Sequence, residues 1–296
     1  MPAALLIDIK DSRKYDPDSR NEIQEYFVAL TDYINCFFEP SLKKELRFSA
    51  GDEIQGLFDG VGAAYTCLRW FSRLAAPIKI HAGIGVGEWS TRISDLDTNY
   101  QDGSAYHNAR AAIDKAKKET DYMALIASRS DKDPCWNSMM NAGFQLVENN
   151  TANQNELAIL LEFLCPVGEE FMRPIELQKL HSLIQQKNKL TIALNSSKQS
   201  TKTSFPDSVP EGCDEDILKL REYASRSSDV LYIRAHPYGT ASVIAKLTKK
   251  ATKDNKPIKQ SVDITLKASN VYAERAIALA LVEGTKDRLA ERTDII

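Results

Sequence analysis

The sequence predicts an α+β fold in its N-terminal half and a mainly helical C-terminal half. Two observations carry this prediction. In the first half, short apolar runs bounded by turn residues alternate with stretches whose apolar residues recur every three or four positions. In the second half the helical pattern dominates. The chain is long enough for more than one domain.

The elements of the first half follow one another in a definite order. A buried strand ends at Asp8 and Ile9, and the helix after it can take Asp18 or Ser19 as its N-cap. Gly51 and Asp52 then form the tight turn of a β-hairpin. The predicted elements are a strand at 5–9, a helix at 18–38, hairpin strands at 45–50 and 53–58, a helix at 61–74 and a strand at 78–84.

This order, β-α-β-β-α-β, is that of the ferredoxin-like fold. Its antiparallel sheet places the end of the first strand beside the central hairpin turn, so Asp8 and Asp52 are expected to be neighbours. The glycine-rich segment 83–87 lacks the third glycine of a dinucleotide-binding loop, and no helix opens directly after it. We therefore interpret it as a strand that another part of the backbone approaches closely.

Further elements divide the chain into three predicted regions. A helix at 105–118 and a strand at 122–127 complete the first region, and the Asn-, Thr- and Gln-rich composition near residue 150 marks its end. Two helices are predicted at 175–184 and 187–194. The predicted regions are a nucleotide-binding domain at 1–150, a helical segment at 151–210 and a mainly helical region at 211–296.

Composition excludes several classes of protein. Hydrophobic residues make up 43% of the 296 residues, and the formal net charge is −3, which gives no overall attraction to nucleic acid. No apolar run reaches the length of a membrane span, and a strand begins too early to leave room for a signal peptide. The five cysteines show no metal-binding spacing. We expect a cytoplasmic protein without a membrane partner.

Asp8 and Asp52 are the leading candidates for a functional site. Two carboxylates brought together at strand ends repel each other unless a cation neutralises them or one takes up a proton. Mg²⁺ or Mn²⁺ would satisfy them, together with phosphate oxygens and a backbone carbonyl such as that of Ile9. The alternative is that Asp52 only favours a turn and Asp8 only ends a strand.

Two further segments could hold a phosphate. Asp11, Ser12 and Arg13 directly follow the first strand and could form an anion-binding turn, or a solvated turn of no special role. His107 and Arg110 are three residues apart on a predicted helix and share a face that could meet a phosphate or ribose, or only solvent.

Two segments, one polar and one basic, could bind nucleic acid. Residues 190–202 have the pattern of a degenerate helix-turn-helix, although a polar loop after a core helix explains them as well. The Lys-rich stretch at 246–259 could contact phosphates, or be a solvated surface. DNA is therefore a candidate partner of residues 151–296.

Four motifs resemble those of the SatD family, a bacterial family named from an acid-tolerance operon. They occur in the family's order, cover roughly residues 3–120, and lie at residues 6–13, 51–57, 83–88 and 102–110. Members of that family commonly carry a helix-turn-helix segment after this domain. The resemblance implies the same order here.

The same domain is remotely similar to class III nucleotide cyclases and to GGDEF and CRISPR polymerase palm domains. This resemblance implies that Asp8 and Asp52 bind metal ions that activate a ribose 3′-hydroxyl for attack on an α-phosphate. It also implies that Glu53, beside Asp52, assists the metal, and that the protein is a homodimer. Class III cyclases have an Asn and an Arg four apart on the following helix, where this chain has Asn108 and Arg110. The resemblance thus favours metal–nucleotide binding over cyclisation.

The expected function is metal-dependent binding of a nucleoside triphosphate, with nucleotidyl cyclase or nucleotidyltransferase activity if the protein is an enzyme. The alternative is a regulator that binds DNA or protein and whose N-terminal domain senses a nucleotide without catalysis. In the first case Asp8, Asp52, His107 and Arg110 are the catalytic residues. The nucleotide would be held by Asp11, Ser12, Arg13 and Gly51.

Overall fold

The computed structural model describes residues 1–49, 51–90, 101–119, 122–194, 205–226, 231–248 and 259–290. These residues form two compact units. The first contains the described residues of Met1–Asn141, Gly168–Pro174 and Leu281–Ile296. The second contains those of Ala142–Val167 and Ile175–Ala280.

A five-stranded sheet forms the centre of the first unit. Its strands are β1 (Ala3–Ile9), β2 (Leu42–Phe48), β3 (Glu53–Phe58), β4 (Ile80–Val86) and β5 (Ala124–Ala127). Their order across the sheet is β2-β3-β1-β4-β5. β1 runs antiparallel to both β3 and β4, β2 pairs antiparallel with β3, and β4 pairs parallel with β5. The hairpin predicted around Gly51 and Asp52 is confirmed.

Helices make up most of the remaining described chain. They are α1 (Pro17–Phe38), α2 (Val61–Ala75), α3 (Ser104–Ala116), α4 (Asp133–Val147), α5 (Ala152–Leu164), α6 (Leu177–Leu194), α7 (Asp214–Arg226), α8 (Leu231–Ala235), α9 (Thr240–Leu247), α10 (Lys259–Ala268) and α11 (Val271–Ala290). The prediction of an α+β fold with a mainly helical C-terminal region is confirmed.

Asp16 is the N-cap of α1, so the prediction of Asp18 or Ser19 was wrong. The Asp16 carboxylate accepts a hydrogen bond from the Ser19 backbone N–H at 3.0 Å. Pro17 occupies the first helical position, where the N–H that proline lacks would have no partner within the helix. The cap and the proline together start the helix earlier than its apolar pattern indicates.

The two faces of the sheet are covered by different helices. Residues directly opposite each other on neighbouring strands point to the same face. Ala4 and Leu57 are such a pair and pack against α3. The neighbouring pair Ala3 and Phe58 points the other way, where the Phe58 ring meets Phe38 at the end of α1. α1 and α3 therefore lie on opposite faces.

Glycines in β4 allow α3 to lie directly on the sheet. A Cβ atom at Gly83 would come within 2.3 Å of the Ala109 carbonyl oxygen, and one at Gly85 within 2.0 Å of the Ala109 nitrogen. No side chain fits between these backbones. The predicted close approach of another backbone to the strand at 83–87 is confirmed, and the approaching element is α3.

Two asparagine side chains of α4 complete the hydrogen bonds of β5. The Asn141 amide accepts from the Ala124 N–H at 3.2 Å and donates to the Ala124 carbonyl at 2.7 Å. The Asn137 amide binds the N–H and carbonyl of Ile126 in the same way, at 2.6 and 3.0 Å. α4 thus takes the place of a further strand beside β5. The sequence analysis did not predict this helix.

α6 corrects the prediction of two helices at 175–184 and 187–194, because one helix runs without a break to Leu194. Residues 185 and 186, which separate the two predicted helices, are Gln and carry no helix-breaking property. The polar half of the predicted helix-turn-helix, residues 195–202, lies outside the described residues.

A buried ion pair ties together the second unit. Arg275 of α11 and Glu162 of α5 form an ion pair, and their side chains are 2% and 0% exposed. The remaining Arg275 donors bind the carbonyls of Ala235 and Cys165 at 2.9 and 2.7 Å. The second Glu162 oxygen accepts the Val167 N–H at 3.1 Å. Such complete pairing is what allows two charges to be buried.

Across the part of the chain that the structure describes, no helix combines the length and the apolar character that crossing a membrane requires.

Gly85→Ala is expected to destabilise the first unit, typically by about 1–3 kcal/mol, because its Cβ would collide with the backbone of α3. Gly284→Ala in α11 is the matched control. There the nearest atom to a new Cβ is on Trp136 at 3.5 Å, an ordinary contact. The control should be neutral or slightly stabilising. Chemical denaturation of both variants tests this, and equal stabilities would contradict close docking of α3.

Candidate functional site

A row of ionisable side chains crosses the sheet where β1 ends. Asp8 lies directly opposite Glu53 of β3 on one side and opposite His81 of β4 on the other. The three side chains therefore share the face of the sheet that α3 covers. Further along that face the positions opposite each other are Leu6 and Gly83, which are buried beneath α3. The polar row begins where this apolar contact ends.

α3 brings two cations to the row. Arg110 donates from both terminal guanidinium nitrogens to the two carboxylate oxygens of Glu53, and Ser49 Oγ donates to Glu53 Oε1 at 3.0 Å. Lys117, at the C-cap of α3, places Nζ 2.9 Å from Asp8 Oδ2. Glu53 and Asp8, the two carboxylates of the row, are therefore each paired with a cation from α3.

Asp52 adds a third carboxylate to this group. It lies in the hairpin turn beside Gly51, whose φ of +67° is in the left-handed region that favours glycine. Burial raises the pKa of the Asp8 carboxyl, the charge of Lys117 lowers it, and the charges of Asp52 and Glu53 raise it again. Asp52 is thus close enough for its charge to act on Asp8. We call Asp8, Asp52 and Glu53 the acidic cluster.

His81 lies opposite Asp8 of the acidic cluster, because β1 and β4 pair at these two residues. Burial lowers the pKa of its imidazole, the nearby charges of Lys10 and Lys117 lower it further, and Asp11 raises it. The ring is therefore neutral at physiological pH. A neutral imidazole beside carboxylates can accept a proton or bind a metal ion.

No three Asp, Glu, His or Cys side chains among the described residues lie close enough together to form a complete metal-binding group. Glu53 is paired with Arg110 and Asp8 with Lys117, so cations already contact oxygens that a metal would need. The oxygen donors of Asp8 and Asp52 still suit Mg²⁺. That ion is usually held by one or two carboxylates together with substrate phosphates. The residues fit a metal that arrives with a phosphate chain.

The predicted phosphate-binding turn follows β1 directly. Asp11 has φ +59° and forms an ion pair with Lys14 at 3.0 Å. Arg20 of α1 donates to the carbonyls of Ser12 and Arg13 at 3.3 and 3.4 Å. The Arg13 side chain is exposed. This turn therefore presents carbonyl oxygens to α1.

Ile9 is the last residue of β1 and pairs with Ile80. Its backbone follows Asp8 at the polar end of the strand, and the metal-binding role of its carbonyl stays a prediction.

His107 and Arg110 have different partners. His107 Nε2 lies 3.1 Å from Asp102 Oδ1, and its side chain is 74% exposed. Asn108 donates to the Val86 carbonyl at 2.8 Å and so holds α3 to β4. Of the predicted residues on α3, the structure brings Arg110 to the acidic cluster.

Neither Asp102 nor Ser104, the polar residues at the start of α3, is its N-cap. Gly103 occupies the cap position, without a side-chain hydrogen bond. Ser104 Oγ instead accepts the Glu88 N–H at 2.8 Å, and Asp102 accepts the Gly103 N–H at 2.7 Å. Both side chains are committed to the connection between β4 and α3.

Lys117 and His81 are site residues that the sequence analysis missed. Lys117 is seven residues after Arg110, which places the two on one face of the helix. His81 lies in the strand predicted at 78–84, two residues before the first of its glycines. The seven-residue spacing could have shown that Lys117 shares a helix face with Arg110. The position of His81 beside Asp8 follows only from the strand register.

The Lys-rich stretch lies partly outside the described residues. Lys246 forms an ion pair with Asp216 of α7, and Lys259 begins α10. Residues 249–258 lie outside the described part. The predicted contact with DNA stays a prediction.

Asp8→Asn is expected to leave the free protein at least as stable as the wild type at neutral pH. A carboxyl whose pKa is raised on folding stabilises the fold only while it is protonated, so its ionised form costs free energy that an amide avoids. The advantage of the variant should shrink as the pH falls through the Asp8 pKa. Thermal denaturation from neutral pH to about pH 4 measures this effect.

The exposed Asp32→Asn in α1 is the control and should change the melting temperature little at any pH. A clear loss of stability in Asp8→Asn at neutral pH would show that the ion pair with Lys117 outweighs the cost of burial.

The comparisons with known proteins give one finding. A model of the SatD family matches residues 3–198, about two thirds of the chain. No curated protein and no solved structure matches. The matched span contains the whole acidic cluster together with Arg110 and Lys117. The chain belongs to the SatD family.

Proposed function

We propose that the first unit binds a nucleoside triphosphate together with Mg²⁺ or Mn²⁺ at the acidic cluster. The observation that carries this proposal is the meeting of Asp8, Asp52 and Glu53 with two cations of one helix, Arg110 and Lys117. Carboxylates suit a divalent ion, and the cations suit phosphate oxygens. Both halves of a metal–phosphate site are therefore available at one end of one sheet.

We also propose that this unit is a ferredoxin-like domain of the cyclase and palm type. The order β2-β3-β1-β4, with β1 antiparallel to both of its neighbours, supports this proposal. In that fold the end of the first strand and the central hairpin turn form the site. Asp8 and Asp52 occupy these two positions.

The roles of the residues follow from their partners. Asp8 and Asp52 would hold the metal, which when bound activates a hydroxyl and neutralises phosphate charge. Lys117 would leave Asp8 and pair with a phosphate, because its long side chain can move between two nearby anions. Arg110 would stay clamped to Glu53 and keep α3 in place over the site.

A reaction at this site would be a nucleotidyl transfer. The ribose 3′-hydroxyl would give up its proton to water, and its oxygen would bond to an α-phosphorus while the bond to the pyrophosphate leaving group breaks. Lys117, once it has left Asp8, would oppose the negative charge that develops on the phosphate, and Arg110 would contribute its nearby positive charge while it remains bound to Glu53. His107 would contribute only by leaving Asp102, its present partner. Two copies of the chain would form the dimer that the cyclase resemblance implies.

A catalytically inactive nucleotide sensor is the second candidate function. The observation that favours it is that Asp8 and Glu53 are already neutralised by Lys117 and Arg110, so the site is electrostatically satisfied without a metal. Such a protein would bind a nucleotide and form no product. It would act through DNA or protein contacts of residues 151–296.

Asp8→Asn and Asp52→Asn should each weaken metal-dependent binding of a nucleoside triphosphate by about tenfold or more, because each removes a charged oxygen ligand. Calorimetry of the full chain with Mn²⁺ and each of the four triphosphates measures binding, and chromatography of the mixtures detects products. Asp32→Asn should bind as the wild type does.

The proposal fails if the wild type binds no triphosphate with either metal. Binding without a product, together with a tolerated Asp52→Asn, would select the sensor.

Lys117→Gln should tighten Mn²⁺ binding in the absence of nucleotide by roughly five- to tenfold, because it removes the cation that competes for Asp8. Electron paramagnetic resonance of free Mn²⁺ measures this directly. The matched control is Lys115→Gln, an exposed lysine near the end of the same helix. Unchanged or weaker Mn²⁺ binding in Lys117→Gln would contradict a metal position at Asp8.

A further inference from the structure

The second unit contains a cavity of about 520 Å³. This volume lies within the range of roughly 300–1,000 Å³ that small-molecule sites occupy. The cavity is bordered by α7, by the segment between α8 and α9, and by the starts of α10 and α11. The aromatic residues in its lining are Tyr223, His236, Tyr238 and Tyr272, and the polar ones include Lys259, Gln260 and Asp263.

The rings of the cavity form two pairs. His236 and Tyr272 have centroids 3.8 Å apart and an interplanar angle of 36°. Tyr223 and Tyr238 have centroids 6.4 Å apart. Tyr238 is 81% exposed and Tyr223 is 43% exposed. Two neighbouring rings therefore leave much of their surface open to solvent beside a cavity, where a planar ligand could cover them.

The chemistry of the lining selects among ligands. None of the described residues that line the cavity is Leu, Ile, Val, Met or Phe. Every aromatic ring of the lining carries a polar atom at its edge. A planar ring can stack on the faces of these aromatic side chains, which an aliphatic chain cannot do. A flat ring with polar edges satisfies both the faces and the edges.

The charge of the lining adds a second requirement. Asp263 forms an ion pair with Lys267 at 2.7 Å, so its charge is already compensated. Lys259 is exposed at the first position of α10 and has no ion-pairing partner among the described residues. Burial lowers the pKa of His236, which keeps its ring neutral. The cavity therefore combines a positive charge at Lys259 with uncharged aromatic side chains.

We propose that this cavity binds a mononucleotide, with the base against the tyrosine and histidine rings and the phosphate at Lys259. Bases stack on aromatic side chains with little dependence on sequence, because every base has a π-face. The Gln260 amide can donate to and accept from the edge of the base. This site is separate from the acidic cluster and does not rest on the function proposed for it.

Calorimetry of the full chain with the four nucleoside 5′-monophosphates tests the proposal. EDTA in the buffer removes divalent ions, so any metal-dependent binding at the acidic cluster makes no contribution. Ribose 5-phosphate lacks the base and adenosine lacks the phosphate. We expect saturable binding of at least one monophosphate, and weaker binding of both fragments.

Variants of Tyr238 and Lys259 locate the binding. Tyr238→Ala should weaken monophosphate binding by about tenfold or more, and Tyr238→Phe, which keeps the ring, should preserve it. Because Tyr238 is mostly exposed, neither change should affect folding. Lys259→Gln should weaken binding of the monophosphate but not of adenosine. Lys189→Gln, an exposed lysine of α6 away from the lining, is the control.

The proposal is overturned if no monophosphate binds in the presence of EDTA, if ribose 5-phosphate binds as well as the monophosphates, or if Tyr238→Ala binds as the wild type does. Asp8→Asn should leave this binding unchanged. Failure here therefore says nothing against the metal–nucleotide site, and failure of that site says nothing against this one.

Discussion

The contact between α3 and β4 is the constraint on which the candidate site depends. Gly83 and Gly85 let the helix backbone lie directly on the strand. This close approach determines the position of the C-terminal end of α3 relative to the sheet. Arg110 and Lys117 reach Glu53 and Asp8 because no side chain at Gly83 or Gly85 separates the helix from β4. Larger residues at the two glycines would lift both cations away from the carboxylates.

The paired charges explain how an acidic cluster is tolerated at a half-buried strand end. Three carboxylates alone would repel one another, and this repulsion adds to burial, the main cause of the raised pKa of Asp8. Lys117 and Arg110 offset most of it without removing it. Under the proposed function, a metal ion accompanied by phosphates would add positive charge at the cluster while the lysine moves to the anion.

Much of the sheet could be predicted because its signals are local. The apolar run before Asp8, the Gly51-Asp52 turn and the glycines of β4 each specify a strand or turn within a few residues. Lys117 and His81 could not be assigned in this way, since their roles depend on the register of distant segments. α4 was missed although its buried residues Trp136, Met140 and Phe144 recur every four positions. Only the contact of its asparagine amides with β5 depends on how the helix docks and could not be predicted from an apolar pattern.

The amides of Asn137 and Asn141 also limit how copies of the chain can associate. The main-chain groups of Ala124 and Ile126 that a strand from another molecule would need are already occupied. A dimer built by joining two sheets into one therefore cannot form through β5. At the opposite border of the described sheet, the Asn35 amide of α1 binds the N–H and the carbonyl of Leu46 in β2 at 2.8 and 2.9 Å. Side-chain amides therefore occupy main-chain groups at both borders of the described sheet, which limits the joining of two sheets edge to edge.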